Sequence, residues 1–224
     1  MFITGDIHGN PFRLSAKKFP LGKKLTKDDY IIIAGDFGVI WDNYESPNEL
    51  YTLKWLQDKP WTTLFIDGNH ENHFRLKQIP EIDRFEGKVG KLRDGVYHLK
   101  RGETYILNGK SFFCFGGALS HDRMYRKLGV SYWEEEIPNY SEMDYGLQNL
   151  QKCQYSVDYI VSHTIPRSLF AILGFNKYSE DPTIKYLDHI ANSVQYKKWY
   201  FGHMHINKRL GKFRALYEDI EEII

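Results

Sequence analysis

Side chains that bind metal ions follow short apolar runs at five places along this sequence. Each run is followed by an aspartate, an asparagine or a histidine, and five unrelated turns would rarely share this feature. The predicted ligands are Asp6, His8, Asp36, Asn69, His163, His203 and His205. A mixture of carboxylate, amide and imidazole groups suits Mn, Fe, Zn or Ni, whereas an oxygen-only set would indicate Mg or Ca. The sequence therefore predicts a metal centre.

Such a ligand set can hold two ions. An aspartate can bridge two cations about 3.5 to 4 Å apart, which lowers the pKa of a bridging water and clamps a phosphate during in-line attack. The chemistry indicated is attack of a metal-bound hydroxide on phosphorus. Taken singly, Asp36 could be a helix N-cap, Asn69 a turn residue and His163 a hydrogen-bonded core histidine. Only their recurrence favours the metal centre.

The elements that must position these residues are short buried strands. Continuous apolar runs are typical of strands buried on both faces, and they occur at residues 1–4, 30–34, 62–66, 157–161 and 199–201. Residues 47–59 have the pattern of a helix between the second and third runs. Alternation of strand, helix and strand predicts a parallel sheet whose carboxyl-terminal edge gathers the ligands.

The middle of the chain has a different pattern. Short runs at residues 96–99 and 104–107, with the turn Asn108-Gly109, predict antiparallel strands that begin a second sheet near Pro80. Residues 116–140 show no regular period, so we expect an irregular insertion near the site within one domain of residues 1–224. The remaining predicted elements are helices at residues 141–154 and 183–192 and a closing hairpin around residue 211.

Composition narrows the class of partner. The formal net charge is +1, from 30 basic and 29 acidic residues, so no overall field would attract long duplex nucleic acid or an anionic membrane. Cys114 and Cys153 lack the spacing of a disulfide framework or zinc ribbon, which favours a reducing, cytoplasmic location. Apolar runs are too short for a membrane span, and the first residues do not resemble a secretory signal. The sequence does not indicate an oligomeric state.

The order of the motifs resembles that of the calcineurin-like metallophosphoesterases. The matching motifs are Asp6-Ile7-His8, Gly35-Asp36, Gly68-Asn69-His70-Glu71, His163 and Gly202-His203-Met204-His205. The resemblance implies an α/β, four-layer fold in which two packed mixed β-sheets are flanked by helices. It also implies two divalent ions, with Mn as the first choice and Fe, Zn, Ni or Mg as alternatives.

The resemblance also implies a role for each matching residue. Asp6, His8 and His205 would hold one ion, and Asn69, His163 and His203 the other, with Asp36 bridging them. His70 would be the acid that protonates the leaving oxygen, and Glu71 would orient His70 or tune its charge.

Three departures from the family pattern concern the substrate. Asn10 stands where protein phosphatases and diadenosine tetraphosphate hydrolases usually carry Gln, Phe37 replaces an Arg after Gly35-Asp36, and Asp67 replaces an Arg before Gly68. These changes argue against a protein phosphatase. The residues nominated to bind the phosphate ester are Asn10, His73, Arg75, Arg123 and Arg126.

The leading hypothesis is a phosphatase or phosphodiesterase, which hydrolyses a phosphomonoester or a phosphodiester with two metal ions. One alternative is a nuclease or nucleotide phosphodiesterase that acts on short single strands or cyclic nucleotides. Another is a metal-binding scaffold of the same fold without turnover. A complete ligand set argues against the scaffold, because a protein without turnover is expected to lose ligands.

Overall fold

The computed structural model describes residues 1–174 and 181–223 of the chain. Strands within these ranges are β1 Phe2–Thr4, β2 Tyr30–Ile33, β3 Thr62–Phe65, β4 Glu81–Arg84, β5 Gly87–Arg93, β6 Val96–Leu99, β7 Glu103–Leu107, β8 Lys110–Phe115, β9 Tyr159–Ser162, β10 Lys198–Phe201, β11 Lys208–Leu210, β12 Phe213–Ala215 and β13 Ile220–Glu222. The α-helices are α1 Pro47–Gln57, α2 His73–Leu76, α3 Tyr140–Lys152, α4 Arg167–Leu173 and α5 Pro182–Ser193. Short 3₁₀ turns lie at Pro11–Leu14, Pro20–Lys24, Arg123–Tyr125 and Glu134–Glu136.

The strands form two mixed sheets. The first sheet has the order β13-β1-β2-β3-β6-β5-β4, and the second has the order β11-β12-β10-β9-β8-β7. Strands β1, β2, β3 and β6 are parallel to one another, as are β8, β9, β10 and β12. Antiparallel strands complete both sheets at their edges. The carboxyl ends of the five ligand-bearing strands therefore collect at one side of the molecule.

Alternating side chains explain why the central strands are apolar throughout. Ile32 faces a core between the sheets, which also contains Val161 and Tyr200 from the second sheet. Its neighbours Ile31 and Ile33 point the other way, into a core shared with α1. In the second sheet the outer face packs on residues of α3, α4 and α5. Because adjacent strand residues point to opposite faces, four layers require apolar residues at both. The predicted fold class, an α/β arrangement of two mixed sheets with flanking helices, is confirmed.

The helices beside the site have clear end signals. Ser46 accepts a hydrogen bond from the Glu49 N–H at the start of α1, and Pro47 occupies the first turn. Asn139 and Glu142 form a capping box at the start of α3, which ends the insertion. None of the described helices is both long and apolar enough to cross a membrane.

The place where the second sheet begins was predicted wrongly. Strands β4, β5 and β6 belong to the first sheet, and β6 lies parallel to β3. The second sheet begins only at β7. Hairpin patterns identify antiparallel neighbours but not the sheet that they extend, because any exposed edge can accept them. Strand β13, which pairs with β1 after the predicted closing hairpin, has no apolar alternation long enough to be seen in the sequence.

Candidate metal centre

The loops after β1 and β2 are joined by their backbones. The N–H groups of Ile7 and His8 both donate to the carbonyl oxygen of Asp36, at 3.1 and 2.9 Å. Gly9 N–H donates to Phe37 O at 2.8 Å. These bonds hold the loop after β1 against the loop after β2. The backbone therefore sets how far Asp6 and His8 lie from Asp36.

One group of ligands lies between β1, β2 and β10. Asp6, His8, Asp36 and His205 each place a ligand atom within 4.8 Å of those of the other three. His205 Nε2 is 3.1 Å from Asp6 Oδ2 and 3.2 Å from His8 Nε2. Two imidazole nitrogens that face one another beside carboxylate oxygens form a donor set that suits a divalent cation.

A second group lies on the opposite side of Asp36. His163 Nε2 is 3.1 Å from Asp36 Oδ1 and 3.2 Å from Asn69 Oδ1. The ring of His203 lies 5.0 Å from the His163 ring, between their centroids. His163 Nδ1 lies 3.0 Å from the carbonyl oxygen of Ala34, to which it can only donate. This bond directs the other ring nitrogen into the site, as in metal-binding histidines.

Asp36 contacts both groups. Its Oδ2 lies 3.8 Å from His8 Nε2, whereas its Oδ1 faces His163. Burial favours the neutral acid, but the His163 imidazolium beside it outweighs burial and holds the pKa of Asp36 well below its usual range. The carboxylate is therefore ionised, with one oxygen toward His8 and the other toward His163.

Left-handed backbone conformations recur at the ligands. His8, Asp36, His203 and His205 have φ angles of 45°, 44°, 62° and 48°. Such angles are uncommon for residues with a side chain and persist only where the surroundings impose them. Here they turn each side chain back toward the centre directly after its strand.

Two motif glycines allow backbones to approach the ligands. A Cβ at Gly68 would overlap Asp36 Oδ1, and one at Gly202 would overlap Asp6 Oδ1. The N–H of His203, which follows Gly202, donates to both Asp6 oxygens at 3.0 and 3.1 Å. Each glycine therefore leaves the space that a ligand carboxylate occupies.

Residues of the insertion orient Asn69. The Asn69 amide nitrogen donates to Ser120 Oγ at 3.1 Å, and Ser120 Oγ donates to Glu136 Oε2 at 3.0 Å. Arg123 Nε donates to the other Glu136 oxygen at 2.7 Å. With its nitrogen engaged in this way, Asn69 presents its oxygen to the centre. Sequence reasoning missed Ser120 and Glu136, because the insertion has no period that would have marked them.

His70 lies at the edge of the centre in contact with Arg126. Its ring is 4.8 Å from that of His8 and stacks on Trp41 at 5.7 Å, between centroids. Arg126 Nη2 is 3.1 Å from His70 Nε2, and since a guanidinium only donates, Nε2 is the acceptor and the proton of a neutral ring lies on Nδ1. Burial, assisted by Arg126, lowers the pKa of His70.

The structure gives Glu71 a different contact from the expected one. Its two carboxylate oxygens accept the backbone N–H groups of Phe37 and Gly38, at 2.7 and 3.0 Å. Burial, together with the charges of Asp36 and Asp67, raises the pKa of Glu71 well above its usual range. Glu71 therefore holds the loop after Asp36 rather than contacting the imidazole of His70.

The nominated substrate-binding residues lie in different places. Arg75 makes a two-pronged ion pair with buried Glu49, at 2.6 and 2.7 Å. The Nε2 of His73 lies 3.1 Å from the carbonyl oxygen of Gly68, and the ring is buried. Arg75 and His73 are thus engaged inside the fold. Arg123 braces Glu136, so Arg126 is the one of the three nominated arginines that contacts a predicted catalytic side chain.

Asn10 lines an open cleft of about 810 Å³ that borders the centre. His8 and His70 also line this cleft, as do residues of α1. The Asn10 side-chain oxygen accepts the Phe12 N–H at 3.0 Å.

Two packed mixed sheets with oxygen and nitrogen ligands at their carboxyl-terminal edge define a metal-dependent α/β protein. The model of the calcineurin-like phosphoesterase family matches residues 1–207 of 224, and the chain belongs to that family. No curated protein matches the sequence significantly. The family and the cluster of Asp6, His8, Asp36 and His205 identify a metal-dependent phosphoesterase.

Proposed function

We propose that this protein hydrolyses a phosphomonoester or phosphodiester with two divalent metal ions, Mn being the first choice. The observation that carries the proposal is the position of Asp36, whose two oxygens face two separate groups of nitrogen and oxygen ligands. A single-ion site would not need ligands on both sides of one carboxylate.

The donor set assigns ligands to each ion. Asp6, His8 and His205 would hold one, and Asn69, His163 and His203 the other, with Asp36 shared. When bound, the ions supply positive charge for the phosphoryl oxygens and lower the pKa of a water. The short contacts between His8 and His205, and between His163 and two oxygens, fit sites in which these atoms share a cation.

Arg126 and His70 would act on the ester itself. Arg126 can present a guanidinium to a phosphate oxygen in the geometry that such anions prefer. Its hydrogen bond to His70 Nε2 supports this role, because it places the guanidinium beside the residue proposed as the acid. Departure of Arg126 toward the substrate would free Nε2 to take up a proton and deliver it to the leaving oxygen.

The first test is turnover of a generic aryl phosphate by purified, Mn-loaded protein. Asp36→Asn and His70→Ala are each expected to lower the rate at least about 100-fold. Asp36→Asn should also lose bound metal, whereas His70→Ala should keep it. Matched controls are Asp83→Asn in β4 and His189→Ala in α5, which are exposed and should leave the rate nearly unchanged.

Full activity of His70→Ala would refute the acid role. Elemental analysis after Mn loading gives an independent measure of the centre, because the proposal expects about two ions per chain. A stoichiometry of one, with Asn69 and His163 replaceable at no cost in metal, would contradict the second site.

A further inference from the structure

The cleft beside His8 and His70 is lined by aromatic side chains. Phe12, Trp41, Tyr51 and Trp55 all border it. Phe12 and Tyr51 are 56% and 69% exposed. Single exposed aromatic residues are common, but four around one cleft that opens on a metal centre indicate a surface for ligand binding.

The ring of Trp41 is held in place by its neighbours. Trp41 stacks on His70 with a 21° angle between the rings, and the buried Trp133 packs its edge on Trp41 at 5.5 Å between centroids. Tyr51 and Trp55 are four residues apart in α1, so both lie on the face of the helix that borders the cleft. A planar ligand would therefore meet a preorganised Trp41 ring, which lowers the entropic cost of binding.

The charge of the lining indicates which part of a substrate the cleft would accept. None of the described residues that line it is Lys or Arg, and Asp42 adds a carboxylate. Lys59 is not among them, although its Nζ lies 3.3 Å from the Trp55 ring centroid. A second phosphate or an acidic peptide would require cations here. This lining therefore favours an uncharged organic group.

Polar groups among the rings narrow the chemistry further. Asn10, Asn48 and Thr52 place amide and hydroxyl groups along the same cleft. An aliphatic lipid chain would leave these groups without partners, whereas a nucleobase has both an aromatic face and hydrogen-bonding edges.

We propose that this cleft binds the nucleoside of the substrate, so that the enzyme hydrolyses a nucleoside phosphate ester. The inference rests on the proposed phosphoesterase function. The base would lie on the aromatic rings, and the phosphoryl group at the ligands of the metal centre. Water adds its oxygen to phosphorus, the ester P–O bond breaks, and the leaving oxygen carries away a proton.

The kinetic test compares esters that differ only in the nucleoside. The diester pair is the p-nitrophenyl ester of thymidine monophosphate against methyl p-nitrophenyl phosphate, and the monoester pair is thymidine monophosphate against ethyl phosphate. The enzyme is expected to hydrolyse at least one of these two pairs. Within that pair, kcat/KM for the nucleoside ester should be at least about 5-fold higher than for the small ester, because one base stacks on the aromatic rings. Tyr51→Ala should lower kcat/KM for the nucleoside ester more than for the small ester and so reduce this preference, while Tyr51→Phe keeps it.

The binding test does not need turnover. Metal-loaded protein is titrated with adenosine monophosphate and with ribose phosphate, and binding is followed by tryptophan fluorescence. Tyr51→Ala should weaken binding of adenosine monophosphate at least about 5-fold and weaken binding of ribose phosphate less. The matched control is Tyr140→Ala at the start of α3, whose side chain is 86% exposed and does not line the cleft.

The outcomes separate the two proposals. Hydrolysis of small esters without any preference for the nucleoside would overturn the assignment of the cleft and leave the phosphoesterase function intact. Base-dependent binding that requires Tyr51, without hydrolysis of any ester, would overturn the proposed function and keep the nucleoside site. Absence of both would overturn both.

Discussion

Removal of Arg101 is expected to destabilise the protein strongly. Arg101 donates from Nε to Asp67 Oδ2 at 2.7 Å, and its side chain is 7% exposed. Asp67 is also buried, and its other oxygen lies 3.0 Å from His98 Nε2. Arg101 further donates to the carbonyl oxygen of Glu135 at 2.9 Å, so it joins β3, the chain after β6 and the insertion.

The size of the effect follows from the burial of Asp67. Arg101→Met keeps most of the side-chain length but leaves a buried carboxylate without its cationic partner. Breaking a buried pair in this way costs about 3–5 kcal/mol of the free energy of unfolding. For a chain of this size, each kcal/mol lowers Tm by about 2–4 °C, so the melting temperature should fall by about 6–20 °C.

The assay is urea denaturation followed by circular dichroism, with metal removed by a chelator so that ion binding does not contribute. Arg209→Met is the matched control, because Arg209 also pairs with a carboxylate, Glu221, at 3.1 Å but is 70% exposed. It should cost less than about 1 kcal/mol. Adding Asp67→Asn to Arg101→Met should recover part of the loss. Equal costs for the Arg101 and Arg209 variants would refute the reasoning.

Three further outcomes are expected at the metal centre. Gly35→Ala should abolish Mn binding, because Gly35 has a φ of 93° and a Cβ there would overlap the His163 ring. The control for backbone strain is Gly109→Ala, because Gly109 has a φ of 73° and no described atom within 4 Å of the added Cβ. Equal Mn contents in the two variants would contradict the overlap with His163. Burial opposes the charge on His163, but Asp36 raises the pKa of His163 to about 10. Mn binding near pH 7.5 should therefore release a proton from His163. Calorimetry in buffers of different ionisation enthalpy would measure this release. The pKa of His163 in the folded state lies above the unfolded value of about 6.5. In the metal-free protein, the contribution of His163 to the free energy of unfolding is therefore complete below pH 6.5 and is lost as pH rises through 10. Denaturation at several pH values would detect this loss.

The buried strands and the ligands that follow them could be predicted because both signals are local. The apolar run that ends before Asp36 and the one that ends before His163 each specify a strand, and the residue types after them specify donors. Parallel pairing then brings the carboxyl ends together, whichever strands are neighbours. The predicted fold class was therefore correct even though β6 had been assigned to the wrong sheet.

Contacts between distant residues could not be predicted in the same way. Glu71 follows His70 in the chain, yet its carboxylate binds the loop after Asp36. Arg75 looks like a free cation in the sequence, but the fold pairs it with Glu49 in α1. The side chains of adjacent residues can point in different directions, so the partner of a charged side chain depends on how the elements pack.

The sequence by itself determined which chemistry is available: carboxylate, amide and imidazole ligands directly after buried strands, in an order that belongs to one family. The tertiary structure alone decided which oxygen of Asp36 faces which group, which arginine reaches His70, and that Trp41 and Tyr51 border one cleft. Local sequence patterns specify secondary structure and the type of ligand that follows each strand. The contacts of Asp36, His70 and the cleft depend instead on how segments far apart along the chain pack together.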